Sequence, residues 1–270
     1  MNTPIDKRVT NLILRLEKLK RDLEPIHYIY NKKEFFSFMW EMWDFFKNYN
    51  DIKAYELFSN TDKFTEYQIF FTEKDEYFEK AIDLSEALNI LAKNTDIDLV
   101  NTLDNNFSKN VFLQTQNEIN AISSETIKTL IMVGCGFTPE TILYIAQNTN
   151  IENIIGLDYD PEVISIAREV IHKMGFDEKV TLKQAYGDEY NYKDADCIHM
   201  ANFIRGKKET LNQISKTAKD GCTIIARQAN LLSNLVYEEI YPKLHNRLII
   251  KDLIQGCFYN FYIFKVGENV

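Results

Sequence analysis

Apolar residues in the first third of the chain recur every three or four positions. Val9, Leu12, Ile13, Leu16, Leu19 and Leu23 mark one face of an amphipathic helix. Pro25 ends it, because proline lacks the amide that the next helical turn needs. Phe35, Phe36, Met39, Trp40, Trp43 and Phe46 form a second, strongly aromatic stripe. Large rings at this spacing read as packing between helices rather than as a cofactor box. A third helical stretch runs from about Glu76 to Lys93, with Phe78, Ile82 and Leu88 at apolar positions. All nine glycines lie at or after Gly134, so the segment before it reads as helices joined by polar turns.

From Thr129 the pattern changes to short apolar strands alternating with helices. Strands are expected at Thr129–Gly134, Asn153–Asp158, Lys179–Gln184, Asp196–Asn202 and Gly221–Arg227. Helices are expected at about Pro139–Gln147, Pro161–Met174, Lys207–Lys219 and Ser233–Tyr241. The strands are apolar on both sides, as parallel strands covered by helices must be. Leu248–Ile254 and Phe258–Val266 are separated only by Gln255, Gly256 and Cys257, too short a link for a helical crossover. These two strands are therefore expected to form an antiparallel hairpin. The expected architecture is α/β: an all-α domain over 1–124, then a Rossmann-like domain over 125–270. Five parallel strands with a terminal hairpin resemble the class I methyltransferase sheet.

Composition narrows the function. The net charge is −9, and no long basic cluster is present to neutralise phosphates, which argues against a nucleic-acid partner. Met1 to Lys20 carries charges every few residues and reads as neither a signal peptide nor a membrane span. Cys135, Cys197, Cys222 and Cys257 are far apart, with no CxxC pair and no histidine cluster near them. They read as buried thiols in a reducing compartment, the cytoplasm, and no metal site is expected.

The candidate chemistry gathers where the strands end. The first strand runs into Val133-Gly134-Cys135-Gly136-Phe137-Thr138-Pro139, whose glycines permit a sharp turn and close approach of a ligand. A dinucleotide fingerprint would place a third glycine where Pro139 stands, so a pyrophosphate is disfavoured. The second strand ends in Asp158-Tyr159-Asp160. Asp158 is the candidate acceptor for ribose hydroxyls, and Asp160, before Pro161, reads as a helix N-cap. Gly187 and Asp188 follow the third strand, and Asn202 and Phe203 follow the fourth, where they are expected to border the reacting end of a bound nucleoside. His199, inside the fourth strand, reads as a core histidine.

These residues resemble the nicotianamine synthase-like family, which includes the opine-metallophore synthases. Val133-Gly134-Cys135-Gly136, followed by Pro139, Thr141, Ile145 and Ala146, is similar to the family's VGSGxxPxT loop. Arg227 with Tyr237 ten residues on, and Asn110 with Glu118 eight residues on, match two further family spacings. The resemblance spans about residues 105–245. It implies a role in metallophore biosynthesis and S-adenosylmethionine as co-substrate, with the 3-amino-3-carboxypropyl arm moved to the amine of a small substrate or amino acid. Phe107 stands where the family often has a tyrosine, and Leu231 and Ser233 replace a glycine and a basic residue after the family's arginine. Methyl transfer on the same fold, and cyclisation of the arm to azetidine-2-carboxylate, therefore stay open.

An amine nucleophile must be neutral, so a carboxylate or tyrosine is needed to take its proton. Glu118 and Tyr237 are the candidates, with Glu79 and Glu86 as further upstream acids. Arg227 is the candidate clamp for a substrate carboxylate, with a structural ion pair as its rival. Gly134, Gly136, Thr138, Pro139, Asp158, Tyr159, Gly187, Asp188, Asn202 and Phe203 are the candidate cofactor contacts. The helical front half is expected either to cover the active site or to form a homodimer contact.

Overall fold

The computed structural model describes residues 6–93, 106–122, 126–240, 246–256 and 259–268, with the side chains of 106–108 left aside. The chain divides into two compact units. Met1–Ile82 with Ala229–Tyr237 forms the first, and Asp83–Gln228 with Glu238–Val270 forms the second. The division thus departs from the boundary expected at 124/125.

The first unit holds α1 (Lys7–Leu23), α2 (Lys32–Asn48), α3 (Ile52–Ser59) and the part of α4 (Asp62–Ala92) up to Ile82. Asp6 caps α1 by accepting the Arg8 N–H, and Asp51 caps α3 by accepting the Ala54 N–H. Val9, Leu12, Leu16, Leu19 and Leu23 are buried along α1, as its pattern predicts. The aromatic stripe of α2 is core: Phe35, Met39 and Phe46 are buried, and the Phe46 ring meets Phe71 edge-on at 5.4 Å. Trp40 and Leu88, expected at apolar positions, are exposed.

Of the helix expected at Ser233–Tyr241, residues 233–240 are described and hold instead the end of a short 3₁₀ turn, Leu231–Leu235; Tyr241 lies outside the described residues. Two of its carbonyls, those of Asn234 and Leu235, serve side-chain donors. Gln68 Nε2 donates to the Asn234 carbonyl at 2.9 Å, and Thr72 Oγ1 donates to the Leu235 carbonyl at 3.2 Å. Asn234 Nδ2 donates to the Tyr55 hydroxyl at 2.9 Å. These bonds explain why residues 229–237 belong with the helices and not with the sheet domain.

The second unit is a seven-stranded sheet in the order β3-β2-β1-β4-β5-β7-β6. The strands are β1 (Thr129–Val133), β2 (Asn153–Asp158), β3 (Val180–Gln184), β4 (Cys197–Met200), β5 (Thr223–Gln228), β6 (Leu248–Ile254) and β7 (Asn260–Val266). The first five are mutually parallel, and β7 and β6 pair antiparallel, as the short link between them requires. The helices are α5 (Asn106–Asn120), α6 (Glu140–Asn148), α7 (Pro161–Lys173) and α8 (Lys207–Thr217). Two buried apolar clusters flank the sheet, and β1 feeds both. Leu130 and Met132 enter one, Ile131 and Val133 the other, because side chains alternate along a strand.

Helix α5 explains the shifted boundary. It packs on α6: the Phe112 ring meets Tyr144 at 5.6 Å, and Phe112 and Ile119 join the core cluster of the sheet domain.

Ile224 is fully buried in β5, in register with Ile198 and Phe264. Replacing it with alanine is expected to cost about 2–5 kcal/mol, a cavity in a core that cannot collapse. A urea titration reads the change as a lower midpoint at unchanged slope.

Candidate functional site

The C-terminal ends of the parallel strands form one rim, the place where open α/β sheets bind ligands. Its centre is the turn after β1. Gly134 and Gly136 have φ of 78° and 72°, in the left-handed region that side chains disfavour. A Cβ on Gly134 would lie 2.4 Å from Ile204 Cγ2.

Every amide of this turn from Gly134 to Thr138 has an acceptor within the unit. The N–H groups of Gly134 and Cys135 donate to the Leu157 carbonyl at 2.9 and 3.0 Å. Gly136 N–H donates to Asp158 Oδ2 at 3.2 Å. Phe137 and Thr138 N–H donate to the two oxygens of Asp83, each at 2.7 Å. Thr138 Oγ1 in turn donates to the Asp83 carbonyl at 2.9 Å. Pro139 precedes α6 as its capping residue. Asp83 is a site residue that the sequence reading misses. It lies 54 residues before its partner on a helix, with no local motif to mark it.

Burial raises the Asp83 carboxyl to about 7, with the amide bonds opposing and Asp158 adding to the rise. Asp158, at the end of β2, is likewise raised by burial against its amide bonds from Asp160 and Gly136. Both acids keep part of their surface accessible. Asp160 caps α7 through the Glu162 N–H, as its position before Pro161 predicts.

Further along the rim, Tyr159 and Tyr186 are exposed and stack at 5.8 Å with 18° between ring planes. Gly187 accepts the Tyr192 hydroxyl on its carbonyl at 2.7 Å, and Asp188 is exposed. Asn202 is buried after β4, its Oδ1 accepting from Lys207 Nζ at 3.1 Å. Lys207 is also buried and donates to the Arg227 carbonyl at 3.3 Å. Burial pulls its amine down to about 7, with Glu238 opposing. The Phe203 ring meets Tyr259 edge-on at 6.2 Å.

Glu118 and Arg227 are brought together, and they hold each other. Arg227 Nε and Nη2 bond the two Glu118 oxygens at 2.8 and 2.9 Å. Nη2 also donates to the Thr115 and Thr141 hydroxyls, each at 3.1 Å. Gln114 Nε2 donates to Glu118 Oε1 at 2.8 Å, and His199 Nε2 lies 2.8 Å from Oε2. Burial alone would raise the Glu118 carboxyl, but Arg227 and His199 outweigh it and hold the group at about 2. Such a carboxylate is a weak base near neutrality. The guanidinium is 5% exposed, and its Nε and Nη2 are occupied by Glu118, Thr115 and Thr141.

In the first unit, the Tyr237 hydroxyl donates to Glu79 Oε1 at 2.5 Å, and its ring lies 5.2 Å from Trp43. Trp43 Nε1 donates to Asp75 Oδ1 at 2.7 Å, and burial lifts the Asp75 carboxyl to about 7 against its hydrogen bonds. Phe107 lies within α5, but its side chain is outside the described residues, as is Cys257. Among the described residues no cluster of His, Cys, Asp and Glu could hold a metal ion, and no helix is long and apolar enough to cross a membrane.

Residues 126–259 match the family model of a methyltransferase domain. Several solved structures resemble the chain over nearly its whole length. A glutamate-to-glutamine mutant of MtNAS, a nicotianamine synthase, in complex with S-adenosylmethionine is 11% identical, with a TM-score of 0.81, covering 94% of this chain and 97% of that one. MtNAS in complex with MTA and tNA is 12% identical, with a TM-score of 0.76, covering 100% of both chains. No curated protein matches in sequence. The fold is thus the class I methyltransferase fold, and its likeness to MtNAS extends over the helical front half as well. The family resemblance read from the glycine loop holds at the level of fold.

Glu118→Gln is expected to destabilise the protein by about 3–5 kcal/mol, because Arg227 would stay buried without its counter-charge. The pH dependence follows from the depressed carboxyl, about 2 against an ordinary 4.5. Its contribution is fully present above the ordinary value and is lost as pH falls from there towards 2. Chemical denaturation from pH 7 to 2.5 is expected to show wild type losing its advantage over the variant below about pH 4.5.

Proposed function

We propose that the chain binds S-adenosylmethionine on the turn after β1 and transfers its 3-amino-3-carboxypropyl arm to the amine of a small substrate, releasing methylthioadenosine. The observation that carries the reading is the turn itself. Gly134 and Gly136 keep it free of side chains, an accessible Asp158 stands beside it, and no amide from Gly134 to Thr138 is left over for a phosphate. Such a site suits a nucleoside without a pyrophosphate. The likeness to MtNAS, solved with S-adenosylmethionine and with MTA and tNA, supports arm transfer. The family model of a methyltransferase domain favours methyl transfer as the second reading.

In arm transfer the neutral amine attacks the arm's terminal carbon in line with its bond to sulfur. A carbon–nitrogen bond forms as the carbon–sulfur bond breaks, and the sulfonium leaves as a neutral thioether. The ammonium product then loses a proton. Tyr237, whose hydroxyl bonds the Glu79 carboxylate within the helical unit, stays the candidate acceptor that the sequence names. We assign Glu118 and Arg227 to positioning, holding α5 on the end of β5. Asp158 is the proposed ribose acceptor. Gly187, Asp188, Asn202 and Phe203 are the remaining rim contacts, and Thr138, Pro139 and Tyr159 flank the turn. Cytoplasmic location and a homodimer remain proposals on the same footing.

The test is product identity. Incubation with S-adenosylmethionine and a mixture of amines and amino acids is expected to yield methylthioadenosine only when an acceptor is present. Methylthioadenosine without an acceptor would indicate cyclisation, and S-adenosylhomocysteine would overturn arm transfer in favour of methylation. Asp158→Ala is expected to weaken S-adenosylmethionine binding by roughly tenfold or more, as loss of a charged hydrogen-bond acceptor does, read by calorimetry. Tyr237→Phe is expected to keep that affinity and lose turnover.

A further inference from the structure

The first amides of a helix, with the positive end of its dipole, ordinarily make a place for a phosphate. At the start of α6 that place is filled from within. Asp83 takes the Phe137 and Thr138 N–H groups at 2.7 Å each, and Thr138 Oγ1 secures the Asp83 backbone at 2.9 Å. Asp158 takes the neighbouring Gly136 N–H at 3.2 Å. A Cβ on Gly136 would stand 2.7 Å from Asp83 Oδ2, so Asp83 lies against the bare glycine that a ligand would approach.

Asp83, Gly136 and Asp158 are each half-buried at this turn, with the acids' oxygens on its amides, so a ligand lying against the glycines lies close to carboxylate oxygen. Asp158 is among the groups that push the Asp83 carboxyl upward, so negative charge at this turn is costly. A positive charge brought to this turn relieves that repulsion. A phosphate would meet two carboxylates and no unbonded amide.

We propose that Asp83 is the residue by which this site selects ligand charge: together with Asp158 it admits a nucleoside bearing a cation and turns away phosphorylated nucleotides. The proposal rests on the nucleoside reading above and adds a determinant to it. It also gives Asp83 a second task besides fastening the loop.

S-adenosylmethionine and S-adenosylhomocysteine separate the two tasks, since they share every group except the methyl that makes the sulfur cationic. Calorimetry on the full chain is expected to show wild type favouring the sulfonium by about tenfold and giving no heat with millimolar ADP. Asp83→Asn is expected to bring the sulfonium-to-thioether ratio close to one. Asp83→Glu keeps the charge and is expected to keep the preference even if both affinities fall. A purely loop-fastening role would lower both affinities in Asp83→Asn and leave their ratio unchanged, which overturns the proposal but not the nucleoside reading. Wild type binding ADP as well as S-adenosylmethionine would also overturn it, and wild type binding none of the three defeats both. Should Asp83→Asn fail to fold, the wild-type ratio and the ADP titration still decide.

Discussion

Five successive amide groups leave the end of β1 in a turn that runs into α6, and a buried amide without an acceptor is costly. The chain answers each of them itself. The Leu157 carbonyl takes two, Asp158 takes one, and Asp83 takes two. This closes the turn to the anion that glycine-rich turns before helices so often hold, while its glycines and two acids stay half-buried and not sealed in the core. The nucleoside reading and the charge selection both follow from this one pattern of donors and acceptors.

A second polar arrangement lies beneath the rim. Glu118 on α5 and Arg227 on β5 are buried and joined by two bonds, with His199 and Gln114 also on the carboxylate and Thr115 and Thr141 on the guanidinium. Taking two charges out of water is expensive, so such a pair adds little net stability but makes the loss of either member severe. Its effect is geometric: α5, α6, β4 and β5 are tied at one point below the glycine turn. Thr141, which belongs to the loop motif in the sequence, thereby fastens an arginine rather than a ligand.

Periodicity made most of the sheet domain legible. Strands apolar on both sides, glycines at turns and a three-residue link between the last two runs led to five parallel strands and a hairpin, because each of these signals is local. What was not legible depends on distant partners. Asp83 looks like any helix-surface acid until its contacts with Phe137 and Thr138 are seen. Glu118 and Arg227 were recognisable one at a time, yet residue type alone could not say that each would occupy the other. The segment 231–237 has helical spacing, but its carbonyls are drawn to Gln68 and Thr72 from α4. The domain boundary moved for the same reason, since α5 carries its polar partners on the sheet.

The central claim is that the turn from Gly134 to Thr138 is where the nucleoside of S-adenosylmethionine lies. A crystal structure of the protein grown with that compound tests it most directly. Density is expected beside Gly134 and Gly136, with the ribose hydroxyls on Asp158 and the Asp83 bonds to Phe137 and Thr138 intact. Density elsewhere on the chain, or a turn in which Asp83 has been displaced by a ligand anion, would contradict it.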